Sequence, residues 1–271
     1  MCQFLFPFDR IEGMDFPGIK KNVSLKNYCS FKVGGEADFF YDAKSAEKIP
    51  ELIKSAKNSR IPWIVIGGGT NILFSEKGFR GLAIHIKADK ITETSKTIIA
   101  EAGALLSQVA QKAKIDALFG IPGTVGGAVF GNAGGHDGEI KDFIELVEVY
   151  NPDTGKTESI KPKFEYRKSD IGKKIILKVT FKKQKNSDPK KIREKLKWRN
   201  EKQPKEKSAG SFFKNPGKDL SAGYLIEQSG AKGLQVGKAQ ISNKHANFII
   251  NLGNATQKDI VELAKIAKER V

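Results

Sequence analysis

The sequence predicts an α+β protein made of a larger domain followed by a smaller one. Three observations carry this reading. Helical periodicities alternate with short apolar runs, but without the regular spacing of βαβ units that would build one parallel sheet. Asn186-Ser187-Asp188-Pro189 breaks the pattern and opens a charged helix, which places a boundary between residues 1–185 and 186–271. The chain has 271 residues, enough for two domains, and its 39% apolar residues include 17 Phe, which favours packed cores over disorder.

Residues 42–59 read as a helix. Ser45 can cap it, Ala46, Ile49, Leu52, Ile53 and Ala56 share one face, and Pro50 suits only a first turn. Trp63-Ile64-Val65-Ile66 is a short buried strand, and the larger domain is expected to divide into two subdomains near 60–65. Residues 81–86 and 97–100 are further strands, and 105–114 is a short amphipathic helix. Residues 145–150 alternate as a half-exposed strand and end in the turn Asn151-Pro152-Asp153-Thr154-Gly155. Residues 175–182 form another strand. The smaller domain reads as a charged helix over 190–201, a glycine-containing loop, a helix around Leu225-Ile226, a strand over 245–251 and a final helix from Thr256. Asp259 completes a capping-box pattern with Thr256, and Ile260, Leu263, Ala264, Ala267 and Val271 keep helical phase to the last residue.

The formal charge is +16, and it is unevenly spread. Residues 156–218 carry 22 Lys and Arg against 7 Asp and Glu, which is +15 in one stretch. Such a stretch suits either an anionic partner or an ordinary lysine-rich surface. Few aromatics interleave its lysines and no finger, RNP or basic-zipper pattern occurs, so nucleic acid is not expected as a partner. No apolar run reaches the roughly 20 residues of a membrane span. Met1–Phe8 is apolar, but Asp9 and Glu12 interrupt it and no basic region precedes it, which argues against a secretory signal. Cys2 and Cys29 form no disulfide framework, and His85, His136 and His245 are too scattered for a metal site. These features describe a soluble protein of a reducing compartment.

Two glycine-rich runs carry the chemistry. Gly67-Gly68-Gly69-Thr70-Asn71 follows the strand at 63–66 directly. Consecutive glycines let backbone N–H groups converge on a diphosphate, although a tight packed turn would use them too. The run is neither GxGxxG before a helix nor a P-loop. The second run is Gly120-Ile121-Pro122-Gly123-Thr124-Val125-Gly126-Gly127-Ala128, continued by Gly131-Asn132-Ala133-Gly134-Gly135. Seven glycines in sixteen residues cost much chain entropy, more than packing alone would require. Two such loops, each beside a strand, fit a long dinucleotide lying between two small subdomains.

These runs resemble the FAD-binding domain of the UDP-N-acetylenolpyruvoylglucosamine reductase family. Further pieces match in the same order: Tyr166-Arg167-Lys168-Ser169, Gln203-Pro204, Ala209 to Pro216, Ala222 to Glu227, Gly230 to Gly233, and Ser242 to Phe248. The likeness covers residues 22–271 and is to the short, second type of the family. It implies a two-subdomain FAD-binding domain of the vanillyl-alcohol-oxidase (PCMH) type, then a smaller α+β substrate domain. It implies FAD as cofactor and NADPH as reductant. The reaction it implies reduces the enolpyruvyl ether of UDP-N-acetylglucosamine to UDP-N-acetylmuramate for peptidoglycan, in the cytoplasm and as a monomer. The cofactor residues would be Gly67, Gly68, Gly69, Thr70 and Asn71 with Gly120, Ile121, Pro122, Gly123, Thr124, Gly126, Gly127 and Ala128. Arg167 would hold the developing carboxylate charge and Ser211 would supply a proton. Tyr166, Arg199, Lys202, Lys214 and Asn215 would contact substrate, with Arg199 and Lys202 facing its diphosphate. His245 and Asn247 are expected to be structural. The family's remaining acid, a glutamate on a terminal strand, would lie beyond Val271, so the chain is expected to be truncated there and its activity reduced. Another FAD oxidoreductase of the same fold, or a non-catalytic nucleotide-binding relative, is the alternative; the motifs at 210–216 and 242–248 argue against it.

Overall fold

The computed structural model describes residues 16–135, 137–217 and 219–271. Met1–Phe8, Cys2 and His136 lie outside the described residues. The first unit contains β1 (Lys20–Ser24), β2 (Glu36–Ala43), α1 (Ile49–Asn58), β3 (Trp63–Ile66) and β4 (Phe79–Ile86). They form one mixed sheet in the order β1-β2-β4-β3, with β2 and β3 both parallel to β4. Ser45 Oγ accepts the Glu47 N–H at 3.2 Å and opens a 3₁₀ turn, so the α-helix starts only at Ile49, next to Pro50. Asp42 and Ala43, read from sequence as helical, instead end β2, where Asp42 pairs with His85. A second correction concerns the split near 60–65. Trp63 pairs with Leu82 and Ile66 with His85, so this strand completes the first sheet, and the change of sheet comes between Ile86 and Ile91.

The second unit holds β5 (Ile91–Glu93), β6 (Thr97–Glu101), α2 (Leu106–Lys112), α3 (Val125–Phe130), β7 (Gly134–Gly135), β8 (Gly138–Glu139), β9 (Ile144–Asn151), β10 (Lys156–Ile160), β11 (Phe164–Glu165), β12 (Lys168–Ser169) and β13 (Ile175–Lys182). Five of these make an antiparallel sheet in the order β10-β9-β13-β6-β5, which α2 and α3 cover with Leu106, Val109, Val125 and Val129. β11 and β12 are a small hairpin whose two turn residues are Tyr166 and Arg167. The last unit is α4 (Pro189–Lys202), α5 (Ala222–Gln228), the three-stranded sheet β14 (Gln235–Val236), β15 (Ala239–Ile241) and β16 (Ile249–Asn251), and α6 (Gln257–Arg270). Thr256 and Asp259 form the capping box that the sequence predicts. Of the strand expected over 245–251, only Ile249–Asn251 pairs in the sheet. The backbone and side chain of Asn247 bond residues 212 and 213 instead, which removes this stretch from the ladder.

Two cores run through the molecule. Phe39, Leu82, Ile84 and the buried face of α1 pack with the second unit. Phe40, Ala83 and Ile66, one residue out of phase, pack with Ile226, Ile241, Ile260 and Leu263 of the last unit. Successive side chains point to opposite faces of a strand, so the first sheet is a shared wall between both neighbours.

Candidate active site

The two glycine runs touch. A Cβ on Gly67 would lie 2.5 Å from Thr124 Oγ1, one on Gly68 3.0 Å from Gly123 Cα, and one on Gly123 2.8 Å from Thr70 Oγ1. The Gly68 N–H donates to Thr124 Oγ1 at 3.3 Å and ties the loops together. At Gly69 the backbone is left-handed (φ +62°), and a Cβ would come within 1.9 Å of the Tyr28 carbonyl oxygen, so only glycine fits. Not every amide of the second loop is free for a ligand. Val125, Gly126 and Ala128 donate to the carbonyls of Ala104, Ala102 and Thr124, so Gly126 and Ala128 shape the loop without offering their N–H groups. Gly68, Asn71, Gly120, Pro122 and Gly127 are exposed on the joined loops. A cradle in which side chains are excluded on two strands of backbone, with an open rim, fits the diphosphate of a dinucleotide such as FAD.

Beside this cradle, the chain continues from α3 into the loop 131–139. Asn132, with φ +45°, is fully buried there. Its Nδ2 donates to Glu139 Oε2 at 2.8 Å and to the Glu165 carbonyl at 2.9 Å. Its Oδ1 is buried and has no partner among the described residues, a group that a ligand N–H would satisfy. Arg167 lies over the same loop. Its Nη1 donates to Glu139 Oε1 at 3.1 Å and to the Asn132 carbonyl at 3.3 Å, and its Nη2 donates to the Gly134 carbonyl at 2.7 Å. Tyr166 stacks on the guanidinium at 5.0 Å. Burial alone would raise the Glu139 carboxyl, but the bonds from Lys141 and Asn132 and the charge of Arg167 outweigh it and hold it below the usual carboxylate range.

The hairpin turn also meets the last unit. The Asn215 N–H donates to the Tyr166 hydroxyl at 3.4 Å, and Asn215 Oδ1 accepts the Ala222 N–H at 3.0 Å. The Arg167 cluster is therefore tied directly to Asn215, and Asn132 joins it to the end of α3, the helix that the second glycine loop opens.

Comparison with known proteins agrees with this arrangement. The FAD binding domain family model matches residues 37–161, and that of the UDP-N-acetylenolpyruvoylglucosamine reductase C-terminal domain matches 203–271. The reductase of Clostridium novyi is 40% identical over 274 aligned residues, covering 95% of this chain and 89% of its own. That of Caldicellulosiruptor bescii is 41% identical, covering 93% and 85%. The crystal structure of the Thermus caldophilus reductase superposes with a TM-score of 0.81 at 35% identity, over 93% of this chain and 95% of that one. The chain belongs to the UDP-N-acetylenolpyruvoylglucosamine reductase family. Its fold is thus the two-subdomain α+β FAD-binding type followed by the reductase C-terminal domain.

Within this reductase frame the remaining expected residues fall in distinct places. Ser211 is exposed and forms a single bridge with Phe248. Asn247 fixes the backbone beside it: its carbonyl accepts from Phe212, its Oδ1 accepts from Phe213, and its Nδ2 donates to the Phe213 carbonyl. Arg199 does not stand apart with Lys202. Its Cδ lies where a Cβ on Gly120 would be 2.8 Å away, so it packs against the second glycine loop, and burial pulls its pKa down from an arginine's ordinary value. Lys202 and Lys214 are exposed. Sequence reasoning passed over Glu139 and Lys195. Lys195 on α4 donates to the carbonyls of Ala117 at 2.6 Å and Asp116 at 3.3 Å, just ahead of Gly120, and pairs with Asp137 at 3.3 Å. The one available signal for Glu139 was its place at the end of the second glycine run, three residues before Asp142.

Proposed function

We propose that this chain reduces the enolpyruvyl ether of UDP-N-acetylglucosamine to UDP-N-acetylmuramate, with FAD held on the joined glycine loops and NADPH as reductant. The observation that supports it most is the hairpin turn at 166–167, which bonds the loop leaving the second glycine run on one side and Asn215 on the other, on a chain of this reductase family. When bound, FAD supplies the hydride chemistry, accepting from NADPH and delivering to the enol-ether double bond. The chain's own residues manage the consequences. Negative charge develops next to the substrate carboxylate, and Arg167 opposes it. Three of its five N–H donors are engaged by Glu139, Asn132 and Gly134, which leaves two for a carboxylate. Ser211 donates the proton that completes the product, on a backbone made rigid by Asn247. Lys202 and Lys214 meet the diphosphate as exposed cations, and Tyr166 and Asn215 hold the two units together at the substrate. The same reading makes the protein a cytoplasmic monomer, which fractionation and sedimentation test. Among the described residues no helix is long and apolar enough to cross a membrane.

The test separates the two half-reactions. Ser211→Ala is expected to leave reduction of the flavin by NADPH at the parental rate and to slow its reoxidation by the UDP-sugar by ~10²–10⁴. Equal slowing of both halves would remove Ser211 from the role. Purified protein that takes up no FAD would sink the whole reading.

A further inference from the structure

Arg167 occupies a costly position. It is the second residue of a two-residue turn and has φ +54°, a conformation that glycine or asparagine adopts at less cost. An arginine placed there needs its side chain held in compensation, and the structure shows what holds it. Two of the contacts to its guanidinium are backbone carbonyls, of Asn132 and Gly134. The third is the carboxylate of Glu139, and it is the charged one.

Glu139 is itself anchored on every side. Its Oε2 receives Asn132 Nδ2 at 2.8 Å and Lys141 Nζ at 2.8 Å. Its backbone N–H donates to Asp142 Oδ2 at 2.8 Å, and its side chain receives the Asp142 N–H in a reciprocal capping box. Both of its oxygens are engaged, by Arg167, Asn132 and Lys141, which favours the charged form. It is a fixed anion in a half-buried place, its side chain 18% exposed.

We infer that Glu139 is a positioning residue for the reductase reaction: it orients the Arg167 guanidinium so that the unused donors face the substrate carboxylate. This inference rests on the reading of Arg167 as the carboxylate-binding group. Without Glu139 the arginine keeps its charge but loses its charged anchor, and the turn loses the partner that offsets its left-handed backbone. Misplacement by about 1 Å of a group that orients substrate costs about 10²-fold in rate. The loss falls on the step that uses the carboxylate, not on the cofactor.

The experiment uses the FAD-loaded enzyme and four variants. Arg167→Lys is measured first. If it turns over at the parental rate, the reading of Arg167 itself fails, whatever Glu139 does. If it is crippled, Glu139→Gln is informative. Glutamine keeps the size but presents an amide NH₂ where Glu139 now receives Asn132 and Lys141, and its charge is gone. The expected result is parental FAD content and parental flavin reduction by NADPH, with reoxidation by the enolpyruvyl UDP-sugar slowed by about 10–100-fold and half-saturated at higher substrate. Parental reoxidation in Glu139→Gln would overturn the inference. The double variant Arg167→Lys with Glu139→Gln should be no slower than Arg167→Lys alone, because Glu139 acts only through Arg167. Additive losses would also overturn it. Should Glu139→Gln not retain FAD, Glu139→Asp is read in the same way. It keeps the charge one methylene short, and an unaltered substrate half-reaction in it counts against the proposal.

Discussion

A single methyl group is enough to test the cradle. In Gly67→Ala the new Cβ would sit 2.5 Å from Thr124 Oγ1, closer than real contacts allow, so the Thr124 hydroxyl must turn away from its bond with Gly68 or the two loops must separate. The expected outcome is a folded protein whose FAD affinity falls at least about tenfold, a cost of about 1.4 kcal/mol, read by fluorescence titration of the apoprotein. Gly135→Ala is the control, because its Cβ would meet nothing within 4 Å. Equal FAD affinity in both variants would show that contact between the loops does not matter for the cofactor. His245 offers a second test at this scale. Its ring nitrogen Nδ1 accepts the Asn247 N–H at 3.2 Å, which requires the neutral imidazole, and burial lowers its pKa more than Glu227 raises it. The unfolded chain binds a proton near the ordinary value of about 6.5, whereas the folded chain resists it to lower pH. Stability is therefore expected to fall as pH drops from about 6.5 towards the lowered folded value. The acidic losses from Glu139 and Asp259, whose folded values are lowered, begin only near the carboxylate range. Urea midpoints measured between pH 7.5 and 5 should slope downward in the parent and flatten in His245→Gln; identical slopes would exclude His245 as the source.

At the scale of elements, α4 is the informative helix. It buries no residue fully, and its sequence reads only as a charged helix after the Asp188 cap, Pro189 following at once. Its use becomes visible in contacts. Lys195 caps two carbonyls ahead of Gly120, Arg199 rests on Gly120 itself, and the Asn200 carbonyl accepts Lys244 Nζ at 2.6 Å. The helix thus straps the second glycine loop to the last unit. Arg199→Ala is expected to weaken FAD retention and thermal stability. Lys202→Ala, one turn on and exposed, is expected to raise the KM for the UDP-sugar and reduce its salt sensitivity with FAD binding unchanged. The reverse pattern would return Arg199 to the substrate side. Sequence periodicity locates α2 and α6 well because each has an apolar and a polar face, finds α1 but starts it seven residues early, and leaves α4 to be read from its Asp188-Pro189 start and its charge. It misses β2, since Phe39 and Phe40 are both buried, on opposite faces in different cores, and no alternation survives. It misses Glu139 for a related reason: the role of a carboxylate depends on which arginine the fold brings to it, and Arg167 is 28 residues away.

For the whole molecule, the first sheet is the common wall, and this has a thermodynamic consequence. Asn186 to Pro189 mark in the sequence where α4 begins, but no second independent core is legible there. Ile226, Ile241, Ile260 and Leu263 from the last unit share one apolar cluster with Leu25, Phe31, Phe40 and Ile66 from the first. Asn251 Nδ2 donates to the buried carbonyl of Phe31 at 2.8 Å across the same junction, and its Oδ1 receives the N–H groups of Gly253 and Ala255. A unit that leaves half its cluster behind when separated exposes apolar surface at about 25 cal/mol per Å². It also strands Asn251's amide without a partner. The two parts should therefore unfold together. Phe40→Ala, on the first sheet, and Leu263→Ala, on α6, each remove a fully buried side chain from one cluster. Each is expected to cost about 2–5 kcal/mol and to lower a single transition seen alike by far-ultraviolet circular dichroism and by tryptophan fluorescence. The reporter is well placed, because Trp63 packs against the other core and Trp198 lies exposed on the strap. Two separated transitions, with Leu263→Ala moving one and Phe40→Ala the other, would show that the last unit is an autonomous domain and that the shared cluster contributes little to its stability.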